Sequence, residues 1–216
     1  MKKKLPRHLK FGLIALGVGF AVTLGLFVDV IGRIQSIVKE KKEVAEDAFA
    51  PPKAPLYNQT DPPMPVKIFF PGSEAGDLIL PAEDQTIFRS AELANRAKQV
   101  LQKVLEGPKT PGLFPSIPKD TKLLEVFIDD AGVAYVDFSD PLSANHPGGM
   151  LNEQATVYSI VNSLTYNLPE IRQVKILVGG AEKETLAGHL LLLPLEMDLS
   201  ITNVKKPPQE QVAHAN

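Results

Sequence analysis

Cysteine is absent from all 216 residues of the chain. Its absence excludes a disulfide framework, a thiolate metal site, a cysteine nucleophile and a lipid-modified N-terminal cysteine. It leaves the compartment open, because a core of this size does not need disulfides to fold. Enzyme signatures are missing as well. Ser139 lacks a Gly-x-Ser-x-Gly elbow, no His-Glu-x-x-His occurs, and the doublets Gly148-Gly149 and Gly179-Gly180 are too isolated to cradle a phosphate.

Positive charge is scarce outside the first ten residues. Five of the 23 Lys and Arg residues lie there, so 18 remain against 25 acidic residues and the rest of the chain has a formal net charge of −7. A nucleic-acid binder needs a basic face to neutralise phosphates, so this acidic body argues against a nucleic-acid partner. The five N-terminal basic residues are Lys2, Lys3, Lys4, Arg7 and Lys10.

A long uncharged run near the N-terminus predicts a membrane anchor. The run from Phe11 to Val28 carries no charge, and its one polar side chain is Thr23. As a helix it spans about 27 Å, close to the roughly 30 Å of a bilayer core. The positive charges before it favour a cytoplasmic N-terminus. A cleavable signal peptide is the alternative, but the run exceeds the usual length of about 7–15 residues and no Ala-x-Ala precedes a plausible cleavage point.

We therefore predict a cytoplasmic basic tail at residues 1–10 and a transmembrane signal anchor at residues 11–31. The chain would cross the cytoplasmic (inner) membrane once, with its globular domain outside the cytoplasm. Gly17, Ala21 and Gly25 share one helix face, and small residues at this spacing allow two membrane helices to pack closely as a homodimer. Asp29 lies at the outer boundary, where its carboxylate reaches the headgroups.

Residues 32–64 read as a juxtamembrane stalk followed by a proline-rich linker. Mixed Glu and Lys in the first part suit a solvated helix. The linker is rich in proline, which removes backbone donors and favours an extended chain. At the other end, the polar residues 203–216 predict a disordered tail. The linker prolines are Pro51, Pro52, Pro55, Pro62, Pro63 and Pro65.

Residues 65–202 predict a globular domain of the α+β class, preceded by the single transmembrane helix. We expect a mixed β-sheet with two helices packed on one face. Ser90 would cap the first helix and Asn152 the second. Apolar residues on both faces of the hairpin strands predict an interior position in the sheet. The predicted strands are 66–70, 77–81, 85–88, 123–128, 133–138 and 173–178, with an edge run at 190–193, and the predicted helices are 91–106 and 152–167.

Several motifs in this domain resemble the GerMN domain family. Val136-Asp137-Phe138-Ser139 is followed by Gly148-Gly149, Glu153 and a helix that runs to Tyr166. The order continues with a strand from Val174 into Gly179-Gly180, and then with Thr185 to His189. Upstream, the strand from Val66 to Phe70 and the helix ending in Leu105-Glu106-Gly107-Pro108 match in order and spacing. The similarity covers roughly residues 65–201.

The resemblance implies an extracytoplasmic module without an established catalytic activity. The family takes its name from a spore-germination and sporulation protein, which helps to assemble a complex at the membrane between the two cells of a spore former. The domain also occurs in bacteria that do not sporulate, sometimes beside peptidoglycan-binding or hydrolase modules. The name-giving protein resembles a tandem pair of domains on a lipid anchor, whereas this chain has one copy and no cysteine. The resemblance therefore implies a membrane-anchored assembly module of the envelope.

Acidic side chains and a histidine gather around the hairpin and the loop after it. An enzyme would pair two of these carboxylates for acid–base work, or bind a metal through His146 and Asp140. The alternative assigns the aspartates to turns, Glu153 to the first turn of a helix and His146 to solvent. We favour this second interpretation, with no catalytic residue, metal or cofactor. The group comprises Asp129, Asp130, Asp137, Asp140, His146 and Glu153.

Exposed apolar groups of two loops predict a partner surface. One loop precedes the second long helix and the other is rich in proline. His189 is expected to bond backbone at the entry to a strand. We thus predict a non-enzymatic, membrane-anchored interaction module that binds envelope proteins, peptidoglycan or both. The alternative is a peptidoglycan-associated hydrolase or accessory enzyme that uses the acidic loop from Asp137 to Glu153. The predicted partner surface comprises Leu113, Phe114, Leu142, His146 and Met150.

Overall fold

The structure is a computed structural model, and it describes Phe27 and residues 31–33, 55–72 and 77–205. The chain divides into two compact units, Met1–Ala54 and Pro55–Asn216. Within the first unit the four described residues are helical and exposed. The predicted anchor at 11–31 and its Gly17, Ala21 and Gly25 face lie outside the described residues, apart from Phe27 and Ile31. No helix in the described part is long and apolar enough to cross a membrane.

The second unit contains a mixture of strands and helices, so the predicted α+β class is confirmed. Strand β1 begins two residues before the predicted domain boundary, and residues just ahead of it already pack on the domain. Tyr57 stacks on Phe88 with ring centroids 4.2 Å apart. In chain order the elements are β1 (Pro63–Phe69), β2 (Ala82–Phe88), α1 (Leu93–Glu106), β3 (Leu123–Ile128), β4 (Val133–Phe138), α2 (Pro141–Ala144), α3 (Met150–Asn167), β5 (Gln173–Val178) and β6 (Ala181–Glu182).

The strands form two sheets, so the predicted single sheet is wrong. β1 and β2 pair antiparallel as a two-stranded sheet, with Val66 opposite Gln85. The other sheet has the order β3-β4-β5-β6 and is mixed. β4 and β5 are parallel, with Val136 opposite Ile176, because the chain crosses over through α3 between them.

Helix α3 lies at the centre of this arrangement. It contacts β1 of one sheet, β5 of the other, and helix α1. Helix α1 contacts β3 at the other side of the four-stranded sheet, and it also contacts β1 and β2. Leu164 and Ile160 are fully buried, as the three- and four-residue spacing predicts, but polar residues on other sides of α3 are buried as well. The buried polar residues of α3 are Glu153, Thr156, Ser159, Asn162, Ser163 and Thr165.

The predicted hairpin is confirmed, but only β4 is interior to the sheet. β3 is an edge strand, and its Leu124 and Phe127 are 42% and 63% exposed. Apolar residues on both faces therefore mark an exposed surface here rather than an interior strand. A register shift between Leu123 and Glu125 interrupts the pairing of β3 with β4.

Two other predicted strands do not form. Residues 77–81 have no regular secondary structure and lead into β2. The backbone N–H of Gly72 donates a hydrogen bond to the carbonyl of Ile79. The leucine run at 190–193 is likewise irregular, since Pro194 follows it and pairing is limited to a bridge between Val174 and Leu195.

The predicted helix caps are also wrong. α1 starts after Glu92 and α3 after Gly149, and neither cap position makes a side-chain capping bond. Asn152 lies inside α3, where its side-chain amide donates to the carbonyl of Gly148.

Candidate functional site

The first turn of α3 delivers Glu153 into the protein interior. Its side chain is fully buried. One carboxylate oxygen accepts the backbone N–H groups of Leu186 and Ala187 at 2.8 and 3.0 Å, and the other accepts the backbone N–H of His189 at 2.9 Å. The Nδ1 atom of His189 lies 3.2 Å from the same oxygen. Glu153 therefore holds the segment 185–190, which has no regular secondary structure of its own.

Glu153 is stabilised in its charged form. Burial by itself raises the pKa of this carboxyl, but hydrogen bonds from the backbone N–H groups of Ala187, His189, Leu186 and Leu190 outweigh it and lower the pKa below its ordinary value. A general acid needs a raised pKa, so this environment suits a structural carboxylate that is ionised at neutral pH.

His146 belongs to a second buried network. Gly148 donates its backbone N–H to Nδ1 at 3.1 Å, and Nε2 lies 3.0 Å from Oγ1 of Thr156. Thr156 in turn donates to the carbonyl of Ser116 at 2.5 Å. Because Nδ1 accepts a hydrogen bond, the ring proton of the neutral imidazole lies on Nε2, which donates to Thr156. Burial lowers the pKa of His146 and outweighs the nearby charge of Glu153, which raises it.

The aspartates of the hairpin region have separate structural partners. Asp129 accepts the backbone N–H of Val133 in the β3–β4 turn at 2.9 Å. Asp137 accepts the backbone N–H of Gly180 at 2.9 Å. Asp140 precedes α2, and its carboxylate packs on Gly179, where a Cβ would approach Oδ1 to 2.9 Å. Gly179 therefore has to be glycine both for this approach and for its φ of +62°.

The predicted acidic cluster thus divides between two turns and two buried networks. Ser139 accepts the backbone N–H of Lys122 through its hydroxyl at 2.8 Å, which is again a loop contact. Within the described ranges, no three His, Asp or Glu side chains come together as a metal site. Asp137 and Asp140 both lie beside the Gly179-Gly180 turn, and the contacts that the structure gives them are with this turn.

The predicted partner surface is only partly exposed. Leu142 lies in α2, is fully buried and packs in the core, so its inclusion was wrong. Leu113 is half-buried and packs against the same core, and His146 is half-buried in its network. Phe114 and Met150 remain exposed, at 51% and 62%.

Leu151 adds a large exposed side chain that the sequence argument missed. It is 52% exposed, on a side of the first turn of α3 other than the side of the buried Glu153. The signal was present in the sequence. Met150-Leu151 follows two glycines directly, and a helix that begins at Met150 has both side chains at its very start.

Phe114 and Leu151 line an open groove of about 310 Å³, which we call the Phe114 groove. It lies between the described residues 71–72 and 77–78, the loop from Phe114 to Ser116 and the first turns of α3. The loop is joined to Pro71 and Gly72 by a backbone hydrogen bond from Phe114 to Pro71 and by a bridge between Gly72 and Leu113. The lining residues are Pro71, Gly72, Asp77, Leu78, Phe114, Pro115, Ser116, Pro147, Leu151, Asn152, Ala155 and Thr156.

The chain resembles one family of known sequences. A sequence profile described as "Germane: Sporulation and spore germination" matches residues 67–184. Among curated proteins, none matches the chain.

Solved structures resemble the same region. The tandem GerMN domains of the sporulation protein GerM from Bacillus subtilis match with a TM-score of 0.51 and 17% identity, over 68% of this chain and 49% of that one. At this identity the match indicates a shared fold, and it spans about half of the tandem pair. The first GerMN domain of the same protein gives a TM-score of 0.49 and 22% identity, over 63% and 98% of the two chains. A candidate lipoprotein from Clostridium perfringens matches with a TM-score of 0.44 and 25% identity, over 64% of this chain and 92% of that one.

Proposed function

The chain belongs to the Germane family of sporulation and spore germination, and on that premise we propose that it is a membrane-anchored, non-enzymatic interaction and assembly module of the bacterial cell envelope. Its partners would be envelope proteins, peptidoglycan or both. The observation that carries the proposal is the exposed apolar rim of the Phe114 groove. Phe114 and Leu151 line the groove and each exposes more than half of its surface, and Met150, the neighbour of Leu151 in α3, is exposed as well. Large apolar side chains grouped at the surface are typical of partner sites.

The non-enzymatic part of the proposal is supported by the roles of the ionisable groups. Glu153 is committed to four backbone N–H groups and His146 to Gly148 and Thr156. A catalytic acid or base has to reach a substrate proton, and these two groups are turned to protein partners instead. The formal net charge of −7 outside the first ten residues also supports a partner other than nucleic acid.

The membrane location is supported by the sequence of the first unit. The uncharged run from Phe11 to Val28, preceded by five positive charges, is typical of a single-pass anchor with its N-terminus in the cytoplasm. We propose on this basis that the domain with the Phe114 groove faces the extracytoplasmic side. Self-association through Gly17, Ala21 and Gly25 would double the number of grooves at one membrane site.

Site-specific photo-crosslinking in the native host tests the interaction role. A photoreactive amino acid replaces Phe114 or Leu151, one at a time, in the full chain. We expect both positions to capture the same envelope protein or peptidoglycan fragment. Phe127 is the matched control, because it is also exposed but does not line the groove. Equal capture from Phe127, or no capture from either groove position, would contradict the proposal.

A further inference from the structure

We infer that His146 is a pH-sensitive switch for the start of α3. A second proton on its ring breaks the contact that holds residues 145–149, which we call the 145–149 turn, and the first residues of α3 move with this turn. The effect of the switch on partners rests on the proposed interaction role, because the exposed Met150 and Leu151 directly follow the turn.

His146 joins three segments of the domain. Its Nδ1 accepts the backbone N–H of Gly148 within the turn at 3.1 Å. Its Nε2 lies 3.0 Å from Oγ1 of Thr156 in α3, and Thr156 donates to the carbonyl of Ser116 in the neighbouring loop. A neutral imidazole fits this place, because it accepts a hydrogen bond at one nitrogen and donates one at the other.

A charged ring does not fit the same place. Both nitrogens of a protonated histidine are donors, so the new proton on Nδ1 would face the N–H of Gly148. A flip of the ring does not remove the conflict, because it only exchanges two donors. Either the ring or Gly148 therefore has to leave its position, since two donors that face each other lose the hydrogen bond that held them.

The 145–149 turn is the part of this network that can move. It contains no helix or strand, and its Gly148 and Gly149 have φ angles of +76° and +85°. A Cβ on Gly148 would meet no heavy atom within 4 Å, so there is open space beside the turn. Thr156 is held inside a helix of 18 residues. Protonation therefore displaces the turn rather than the body of α3.

The start of α3 is coupled to this turn. Asn152 donates its side-chain amide to the carbonyl of Gly148 at 2.8 Å, so the first helical turn is bonded to the part that moves. The cap position is Gly149, which offers no side-chain capping bond to hold the helix start independently. Met150 and Leu151 therefore change position when the turn is released.

The charges around the ring set the direction of the switch. Burial lowers the pKa of His146 and outweighs Glu153 and a backbone contact with Asn152, which raise it, so the ring is neutral at pH 7. The loop side contributes the uncharged carbonyl of Ser116. His189 lies 3.2 Å from Glu153, but a proton on His189 keeps that contact, because a charged ring still donates to a carboxylate. The turn is thus held at neutral pH and released in acid.

A pH titration followed by two-dimensional ¹H–¹⁵N NMR tests the switch on the full chain in detergent. Between about pH 7.5 and about pH 5, the amide signals of Gly148, Met150 and Leu151 should shift with the same midpoint as the ring signals of His146. Hydrogen exchange at the Gly148 amide, corrected for the intrinsic effect of pH, should become at least about tenfold less protected. Constant amide signals over this range, or a midpoint that differs from that of the ring, would overturn the inference.

His146→Gln and His189→Gln form a matched pair of variants. A glutamine at position 146 cannot gain a proton, so the shifts at Met150 and Leu151 should disappear, whether this variant holds the turn closed or open. His189→Gln should keep the transition, because the contacts that the structure gives His189 are with Glu153. The reverse pattern in folded variants would contradict the switch, and the comparison of midpoints in the unmodified chain depends on neither variant.

Photo-crosslinking from position 151, in cells held at about pH 7.5 and about pH 5, connects the switch to partners. We expect capture to fall at least about fivefold in acid. If the NMR transition occurs but no partner is captured at either pH, the proposed function fails and the switch stands. Equal capture at both pH values would mean that the switch does not control the partner surface.

Discussion

Glu153 carries a full negative charge into the protein interior, where desolvation opposes it. The segment 185–190 compensates by pointing four backbone N–H groups at the carboxylate. The two parts depend on each other. The loop has no strand or helix to satisfy these donors, and the carboxylate has no lysine or arginine partner among the contacts that the structure describes.

Glu153→Gln should destabilise the protein, although the two side chains have nearly the same size. The amide replaces one acceptor oxygen by a donor, which would face the backbone N–H of His189. We expect the free energy of unfolding to fall by about 2–4 kcal/mol in chemical denaturation. Hydrogen exchange of the amides of residues 186–189 should speed up selectively. Glu184→Gln is the control, because Glu184 is exposed and should change stability by less than about 0.5 kcal/mol.

Stability should fall in two steps as the pH is lowered. The pKa of His146 is lowered from 6.5 in the folded protein, so the unfolded chain binds its proton first and stability starts to fall below about pH 6.5. The pKa values of Glu153 and Glu83 are lowered from 4.5, since in both carboxyls hydrogen bonds to the charged form outweigh burial. Their contribution is complete above pH 4.5 and is lost as the pH falls through the folded values.

Urea denaturation at a series of pH values between 8 and 3 measures both steps. In the Glu153→Gln variant the decline below about pH 4.5 should be shallower, because that carboxyl no longer titrates. The decline that begins near pH 6.5 should remain. Parallel curves for the two proteins below pH 4.5 would mean that Glu153 titrates alike in the folded and unfolded states.

At the scale of elements, carboxamide side chains replace neighbouring strands. The two-stranded sheet of β1 and β2 has two edges with unpaired backbone groups. Side-chain amides from helices α3 and α1 form hydrogen bonds with these edges. Asn167 of α3 accepts the backbone N–H of Lys67 at 2.8 Å and donates to its carbonyl at 2.7 Å. Gln99 of α1 forms the equivalent pair with Phe88 at 2.8 and 2.9 Å. Each amide reproduces the donor and acceptor pattern of a strand residue and protects an edge from pairing with another chain.

Gln99→Leu should therefore be costly although it adds apolar surface to a buried position. It leaves both the N–H and the carbonyl of Phe88 without their partner, and we expect a loss of about 2–3 kcal/mol in the free energy of unfolding. Gln102→Leu makes the same chemical change at an exposed position of the same helix. Thermal or urea denaturation of the two variants should differ by most of that amount, and equal effects would contradict the strand-like role of Gln99.

The same residues explain which parts of the fold can be predicted from sequence. The hairpin β3–β4, helix α1 and strand β5 follow from local periodicity and turn residues, and all are present. The contacts of the polar residues of α3 cannot be predicted from its helical periodicity. Glu153, Asn162 and Asn167 are polar residues that a helical pattern assigns to solvent, yet they bond the backbones of segments 33 to 100 residues away in sequence. Such partners depend on the tertiary arrangement, which local pattern does not contain.

The candidate site shows the same limit. Phe114 and Met150 were predictable as exposed apolar residues of two loops. Leu142 was not, because it falls in α2, a single helical turn that folds back into the core. The groove itself depends on the bridge between Gly72 and Leu113, two residues that are distant in sequence.

At the scale of the whole molecule, the absence of cysteine gives a direct test of the proposed topology. Single cysteines introduced at Asn58, which is exposed, and at Lys4 should react differently with a membrane-impermeant maleimide applied to intact cells with a permeabilised outer layer. We expect Asn58→Cys to be labelled at once and Lys4→Cys only after lysis. The reverse pattern, or recovery of the chain in the soluble fraction, would contradict a single-pass anchor with its N-terminus in the cytoplasm.

The covered edge of β1 also has a consequence for biogenesis. Lys67 and Asn167 are 100 residues apart, and Phe69 and Ser163, which form a similar bond, are 94 apart. At roughly 5–20 residues per second, the ribosome needs about 5–20 s to supply α3 after β1 has been made. A two-stranded hairpin is marginally stable alone, and its open edge can pair with other chains in that interval. We therefore expect β1 and β2 to become stable only after α3 has emerged.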